Sequence, residues 1–178
     1  LARRTLAGRL ALIPTAKELQ DEILAPPPSG VAINNPLDGA KYTSAVLKKV
    51  ALLILGCAMQ TYGEALRDEQ EVLSFAADIV IDAFAVESAT LRATTAHAAG
   101  TANEHLHLDA AAIVIQAAVT RCEAAGREAL AVMSQGNALR TQVDTLHRLL
   151  SRPPANTVAA RRRLAEAAVS RAGYMFDG

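Results

Sequence analysis

The apolar residues of this chain recur at the spacing of an α-helix along most of its length. The triplet Asn34-Asn35-Pro36 predicts the start of a first long helix, with Asn35 as its cap, that continues to about Tyr62. Residues 50–55 of this helix are apolar on all sides, so we expect other helices to surround it. The apolar run at 50–59 is shorter than the roughly 20 residues that a membrane-spanning helix needs, which indicates a core helix.

A second helix is predicted from Asp68, which stands three residues before Glu71 at the spacing of a capping box, to about His97. One narrow face of this helix is charged, and it carries Glu71, Asp78, Asp82 and Arg92. Because side chains on opposite faces of a helix point away from each other, we expect the other side to be buried. The residues of that predicted buried side are Leu73, Ala77, Val80, Ile81, Phe84 and Leu91.

A break at Ala99-Gly100-Thr101 precedes a third helix, which is predicted from Asn103 to about Met133. Gly126 is a weak point within this helix, because glycine is a poor helix former. The third helix carries apolar residues over most of its circumference, as expected for a helix inside a bundle.

Two proline- and glycine-based signals divide the remaining chain. Gly136-Asn137 predicts a turn before a short helix, and Pro153-Pro154 ends that helix. A last helix opens at Asn156 or Thr157 and ends at Gly173, which suits the position just after a helix. These elements predict an all-α protein, an antiparallel four-helix bundle with an N-terminal helical arm and a short accessory helix.

The first thirty residues are predicted to form a separate unit, so the chain divides into an amphipathic arm with a Pro-rich linker at 1–30 and a bundle domain at 31–178. A short helix is expected at 16–24, and residues 26–30 form the linker. A basic amphipathic segment can lie in a membrane interface or pack on a partner domain, and both alternatives stay open. The residues concerned are Arg3, Arg4, Leu6, Arg9, Leu10 and Ile13.

Composition and charge narrow the function. Hydrophobic residues make up 51% of the chain and aromatic residues 3%, in keeping with an alanine-rich helical protein. The formal net charge of +0 argues against a nucleic-acid partner. Cys57 and Cys122 form no CxxC pair, which favours a reducing compartment such as the cytoplasm or the mitochondrial matrix.

Motifs that would carry chemistry are weak or missing. A di-metal bundle needs two Glu-x-x-His pairs, and the sequence has one, at Glu104 and His107. Asp78 and Asp82 share a helix face, and a solvated stripe or an ion pair with an arginine is favoured over general acid–base catalysis. We therefore predict no catalytic, cofactor-binding or metal-binding residue in this chain.

Two sets of charged residues are candidates for an interface. Glu69 and Glu87 fall on the apolar side of the second helix, near its ends, where they could pair across a subunit contact. Three consecutive arginines, Arg161, Arg162 and Arg163, stand on the last helix, where a solvated or inter-subunit face is favoured over a lipid contact.

Three stretches resemble the C-terminal domain of very-long-chain acyl-CoA dehydrogenases, in the same order and at similar spacing. Residues 66–85 (LRDEQEVLSFAADIVIDAFA) contain a Glu-Gln pair at 69–70, an Ala-Asp pair at 77–78, Asp82 and then the small residue Ala85. Residues 162–174 (RRLAEAAVSRAGY) are similar to the last helix of that domain. Residues 1–4 (LARR) are similar to the arginine-rich stretch that follows the dehydrogenase core.

The resemblance implies a helical bundle appended to an FAD-dependent enzyme that oxidises the α,β-bond of fatty acyl-CoA. In that family the flavin, the thioester and the catalytic glutamate belong to the preceding domains, which would be the partners of this one. It further implies a homodimer, and a membrane-attachment role for residues 1–24, peripheral on the inner membrane. Two alternatives remain at this stage, a stand-alone helical interaction module without enzymatic activity and, more weakly supported, a metal-carboxylate bundle enzyme.

Overall fold

The fold is that of a helical bundle, seen in a computed structural model that describes residues 14, 15, 18 and 35–176. Residues 35–176 contain no strand, so the all-α prediction is confirmed. Their helices, in chain order, are α1 (Pro36–Tyr62), a 3-10 helix (Gly63–Asp68), α2 (Gln70–Ala98), α3 (Glu104–Met133), α4 (Gly136–Leu150) and α5 (Thr157–Arg171).

The first helix begins and ends as its sequence predicts. The side chain of Asn35 accepts a hydrogen bond from the Asp38 N–H at 2.9 Å, and Pro36 occupies the first helical position. The helix stops at Gly63, whose φ of 54° lies in the left-handed region that glycine adopts at low cost. The predicted bounds of this helix are therefore confirmed.

The core of the bundle is built around α1, which contacts α2, α3 and α4. Its largest fully buried side chains are Leu47, Val50, Leu53, Ile54 and Met59. By length and composition, the helical stretch Pro36–Asp68 is apolar enough to cross a membrane, yet 67% of its most apolar window is buried inside the bundle. Burial by neighbouring helices is the arrangement expected for an all-round apolar core helix.

The central helix is α3, which contacts every other helix of the bundle. Asp82 in the middle of α2 meets Arg121 in the second half of α3. His97 in the last turn of α2 meets Glu104 in the first turn of α3. These two pairs show that α2 and α3 run antiparallel, joined by the short connection at 99–103.

Two helices placed end to end fill the fourth position of the bundle, and both run antiparallel to α3. Leu146 of α4 packs at Gly126, where an added Cβ would lie 2.9 Å from a leucine methyl, so the glycine allows the two helices to approach closely. Farther along, Arg163 of α5 reaches Asp109 of α3. Residues 151–156, which include Pro153, separate the two helices.

Three local predictions are wrong. The predicted capping box of Asp68 and Glu71 does not form, because Asp68 ends the 3-10 helix and Glu69 precedes α2 without a side-chain cap bond. Gly136 is the first residue of α4 rather than part of a turn. The left-handed residue after α5 is Ala172, with φ 51°, and not Gly173.

The predicted arm and linker at 1–30 lie almost entirely outside the described residues. The same holds for the membrane or partner contacts predicted there, namely Arg3, Arg4, Leu6, Arg9, Leu10 and Ile13. The division of the chain at residue 30 stays a prediction.

Candidate functional site

The solvent-facing side of α2 carries a row of large apolar side chains. Their exposed fractions range from 48% to 69%, and the residues are Val80, Ile81, Phe84 and Leu91. We call this row the α2 face. Large apolar side chains exposed together on one helix can mark a surface that contacts another molecule or domain.

The α2 face was predicted to be buried, and this prediction is wrong because α2 is apolar on two sides. The side that enters the core carries other apolar residues, among them Ala76, Ile79, Ala83 and Val86. Asp82, expected on the solvated stripe, is only 6% exposed. The charged stripe therefore misled the assignment of faces, since one of its members is turned inward.

Asp82 enters the bundle because a partner from α3 meets it there. Arg121 donates a hydrogen bond from Nε to Asp82 Oδ2 at 3.0 Å and a second one from Nη2 to Oδ1. Such a two-point pair offsets the cost of taking a carboxylate out of water. The sequence left two interpretations of Asp82, a solvated stripe and an interhelical ion pair with an arginine. The structure has the ion pair.

The second feature is an apolar groove of about 490 Å³ between the start of α1 and the first half of α3. We call it the α1–α3 groove. It exists because α4 packs on both α1 and α3, whereas α5 packs on α3. Residues 151–155, in the chain between these two helices, form part of the groove lining. Representative lining residues are Leu37, Val46, Leu108, Ala112, Ile115 and Leu149.

Among the described residues that line this groove, the charged one is Arg152 in the connection between α4 and α5. Its Nη1 donates to Thr43 Oγ1 at 3.0 Å, and the Thr43 hydroxyl donates to the Gly39 carbonyl at 2.8 Å. The guanidinium is half-buried, and this burial lowers the pKa of Arg152. No carboxylate forms an ion pair with it in the part of the chain that the structure describes.

The sequence did not single out Arg152. Its position next to Pro153-Pro154 was visible in the sequence, but that pattern marks the end of a helix and not a binding residue. What the sequence lacked was the position of α1, whose Thr43 is 109 residues away along the chain and fixes the guanidinium at the groove.

The candidate interface residues fall in different places. Glu87 is half-exposed and forms an ion pair with Lys48 of α1 within the chain. Glu69 is half-buried between the 3-10 helix and α2. Because the structure holds one copy of the chain, a subunit contact of either residue stays a prediction.

The three arginines of α5 are all exposed, but they differ in their contacts. Arg163 donates from Nε and Nη2 to the carboxylate of Asp109 at 2.7 and 2.6 Å, so its partner lies within the bundle. Asp109 is buried, and the sequence did not identify it. Arg161 and Arg162 point to solvent, and an interface role for them remains a prediction.

Residues that could bind a metal do not converge. Glu104 contacts His97 at 3.2 Å, while His107 packs against Phe176 with ring centroids 4.9 Å apart. Burial and the nearby Arg92 lower the pKa of His107. Among the described residues, no group of three His, Cys, Asp or Glu side chains could hold an ion.

Cys57 and Cys122 are both buried. Burial raises the pKa of Cys57 to about 11 and that of Cys122 to about 12. Since the thiolate is the reactive form, neither side chain has the character of a nucleophile at neutral pH.

Comparison with known proteins gives consistent results. Residues 46–148 match the family described as acyl-CoA dehydrogenase, C-terminal domain. A probable acyl-CoA dehydrogenase of Bacillus subtilis (strain 168) is 36% identical over 171 residues, covering 92% of this chain and 27% of that protein. The crystal structure of an acyl-CoA dehydrogenase complexed with FAD, from Bacillus anthracis, superposes with a TM-score of 0.85 at 32% identity, covering 95% of this chain and 29% of that one. The chain thus spans less than a third of the length of these relatives.

Proposed function

Because the chain belongs to the acyl-CoA dehydrogenase C-terminal domain family, we propose that it is the structural C-terminal domain of an FAD-dependent acyl-CoA dehydrogenase. In this proposal, preceding domains oxidise the α,β-bond of a fatty acyl-CoA, and the bundle packs against them. The resemblance of residues 66–85 to the very-long-chain type supports long acyl chains as the substrate class.

The observation that carries the structural role is the α2 face. Phe84, Ile81 and Leu91 are each more than 60% exposed, although each would gain roughly 1.5–3 kcal/mol from complete burial. We propose that this face packs on the dehydrogenase domains. Such packing would explain why α2 is apolar on two sides, because one side packs in the core of the bundle and the other packs on the neighbouring domain.

The described residues do not fit FAD. A flavin dinucleotide is commonly held by a glycine-rich loop at a helix N-terminus, which receives the pyrophosphate. The α1–α3 groove instead has apolar walls and a single guanidinium. We therefore derive no catalytic step from this chain and place the chemistry in the preceding domains.

The first test is the intact mass of the polypeptide isolated from its source. The proposal expects a mass more than three times 18.7 kDa, a yellow flavin chromophore, and flavin reduction by long-chain acyl-CoA in preference to short-chain acyl-CoA. A native polypeptide of 18.7 kDa would contradict it and favour a stand-alone interaction module.

The second test replaces the centre of the α2 face. We expect Phe84→Asp to weaken packing of the bundle in the complete enzyme, seen as faster proteolysis between the domains. In the 178-residue chain the same change should leave the urea unfolding midpoint nearly unchanged, because Phe84 is exposed there. Val169→Asp is the matched control, since Val169 is 81% exposed on α5 and lies outside the face. Equal effects of both substitutions would contradict a specific role for the α2 face.

We also propose that the enzyme is a homodimer in the cytoplasm or mitochondrial matrix and attaches peripherally to the membrane. The lack of a CxxC pair supports a reducing compartment, and the basic amphipathic pattern of residues 1–13 supports contact with an anionic membrane. Sedimentation of the complete enzyme tests the dimer. Flotation with phosphatidylglycerol vesicles, with and without Arg3→Gln, Arg4→Gln and Arg9→Gln, tests the membrane contact.

A further inference from the structure

We propose that the α1–α3 groove binds one fatty carboxylate, with its carboxylate at Arg152 and its hydrocarbon chain between α1 and α3. This site is separate from the α2 face, because no residue of α2 lines the groove in the described part of the chain. It does not depend on the proposed function of the complete enzyme.

The groove has the size and the chemistry of a site for an apolar chain. Its volume of about 490 Å³ falls within the range of roughly 300–1,000 Å³ that is typical of small-molecule pockets. Walls from α1 and α3 are formed by aliphatic side chains such as Leu37, Val46 and Ile115, and no carboxylate is among the described residues that line the groove. An apolar ligand would therefore bury its surface mainly against apolar side chains.

The positive charge of Arg152 favours a ligand with an anionic head group. Arg152 is half-buried and forms no ion pair in the described chain, in contrast to Arg121 and Arg163, which each bind a carboxylate. The hydrogen bond to Thr43 uses one of its five N–H donors, which leaves the fork of the guanidinium able to receive a carboxylate. Charge complementarity thus favours a single-chain anion over a neutral lipid.

The direct experiment is calorimetric titration of the 178-residue chain with dodecanoate below its micelle concentration. We expect one site per chain. Octanoate should bind more weakly, by about fourfold for each methylene removed, since each methylene buries a constant apolar area. This chain-length series tests the apolar part of the site without any substitution.

Three variants test the head group and the groove separately. Arg152→Gln should weaken dodecanoate binding about tenfold and leave binding of dodecanol, the neutral alcohol of equal length, unchanged. Ala112→Phe, which fills the groove from α3, should abolish binding of both. Arg148→Gln is the matched control, because Arg148 is exposed on α4 and does not line the groove.

The outcomes that would overturn the proposal are distinct. An equal affinity of Arg152→Gln and the unaltered chain for dodecanoate would exclude the head-group contact. Binding that survives Ala112→Phe would place the ligand elsewhere, for example on the α2 face. A complete lack of dodecanoate binding would overturn the proposal as a whole.

Discussion

At the scale of single residues, this bundle contains two buried carboxylates that are each held by an arginine from another helix. Asp82 and Asp109 are both buried, and Arg121 and Arg163 reach them from the surface. The arginines are largely exposed, so each pair joins a buried carboxylate to a solvent-exposed arginine. Removal of the arginine should lower the free energy of unfolding more than its exposure suggests, because the buried carboxylate then lacks its hydrogen-bond donors.

We expect Arg121→Met, which keeps the aliphatic stem, to lower the free energy of unfolding by about 1–2 kcal/mol. This is the lower part of the range for a buried polar group that loses its partner, because solvent reaches the Arg121 side of the pair. Urea unfolding measures the change. Arg67→Met is the control, since Arg67 is 82% exposed in its pair with Asp68 and should shift stability by less than about 0.5 kcal/mol. Adding Asp82→Asn to Arg121→Met should recover part of the loss, because an amide is cheaper to bury than a carboxylate. Equal effects of Arg121→Met and Arg67→Met would show that Asp82 is hydrated.

At the scale of elements, the ends of the helices follow local chemistry at some places and not at others. Asn35 and Asn156 each cap a helix by accepting a backbone N–H, at 2.9 and 3.2 Å. At the end of α5, however, the chain turns through Ala172 in a left-handed conformation, one residue before the glycine that is suited to it. An L-residue with a Cβ pays roughly 1–2 kcal/mol there.

Ala172→Gly should therefore stabilise the last turn of α5 by about 1 kcal/mol. Hydrogen exchange of the amides in that turn is the suitable measurement, because helix ends open locally. Gly173→Ala is the matched control: a Cβ at Gly173 has no contact shorter than 3.8 Å and no positive φ to resist it, so we expect little change. Faster exchange in Ala172→Gly would mean that α5 ends at another residue in solution.

At the scale of the whole molecule, two helices, α4 and α5, share the fourth position of the bundle. They differ in how much of each is buried against the other helices. α4 packs on α1 and α3 and buries Thr145, Leu146 and Leu150. α5 packs on α3, and Ala160 is its one fully buried residue in the range 157–171. Since local stability follows buried apolar contact, α5 should open before the rest of the bundle.

We expect the amides of α5 to exchange faster than those of α1 and α3, and Arg163→Met to accelerate exchange in α5 several-fold without changing α1. The reason is that Arg163 connects α5 to the buried Asp109. Exchange monitored by mass spectrometry on peptides from each helix measures this. Arg161→Met, an exposed neighbour, is the control. If Arg163→Met accelerated α1 as much as α5, the bundle would open as one unit.

The sequence by itself determined the fold class and most helix bounds, because these depend on neighbouring residues. Asn35 and Pro36 start α1, and the prolines at 153–154 interrupt the fourth helix, whatever surrounds them. The resemblance of residues 66–85 to the dehydrogenase family agreed with the family match.

The tertiary structure decided which face of α2 is buried, where Arg152 lies and which residues form the groove. α2 is apolar on two sides, so its own pattern could not choose between Ile79 and Phe84 for the core. The choice depends on Arg121, which stands on α3 and offsets the desolvation of the buried Asp82 carboxylate. Contacts between residues that are distant along the chain set these features, and a helical period contains no information about them.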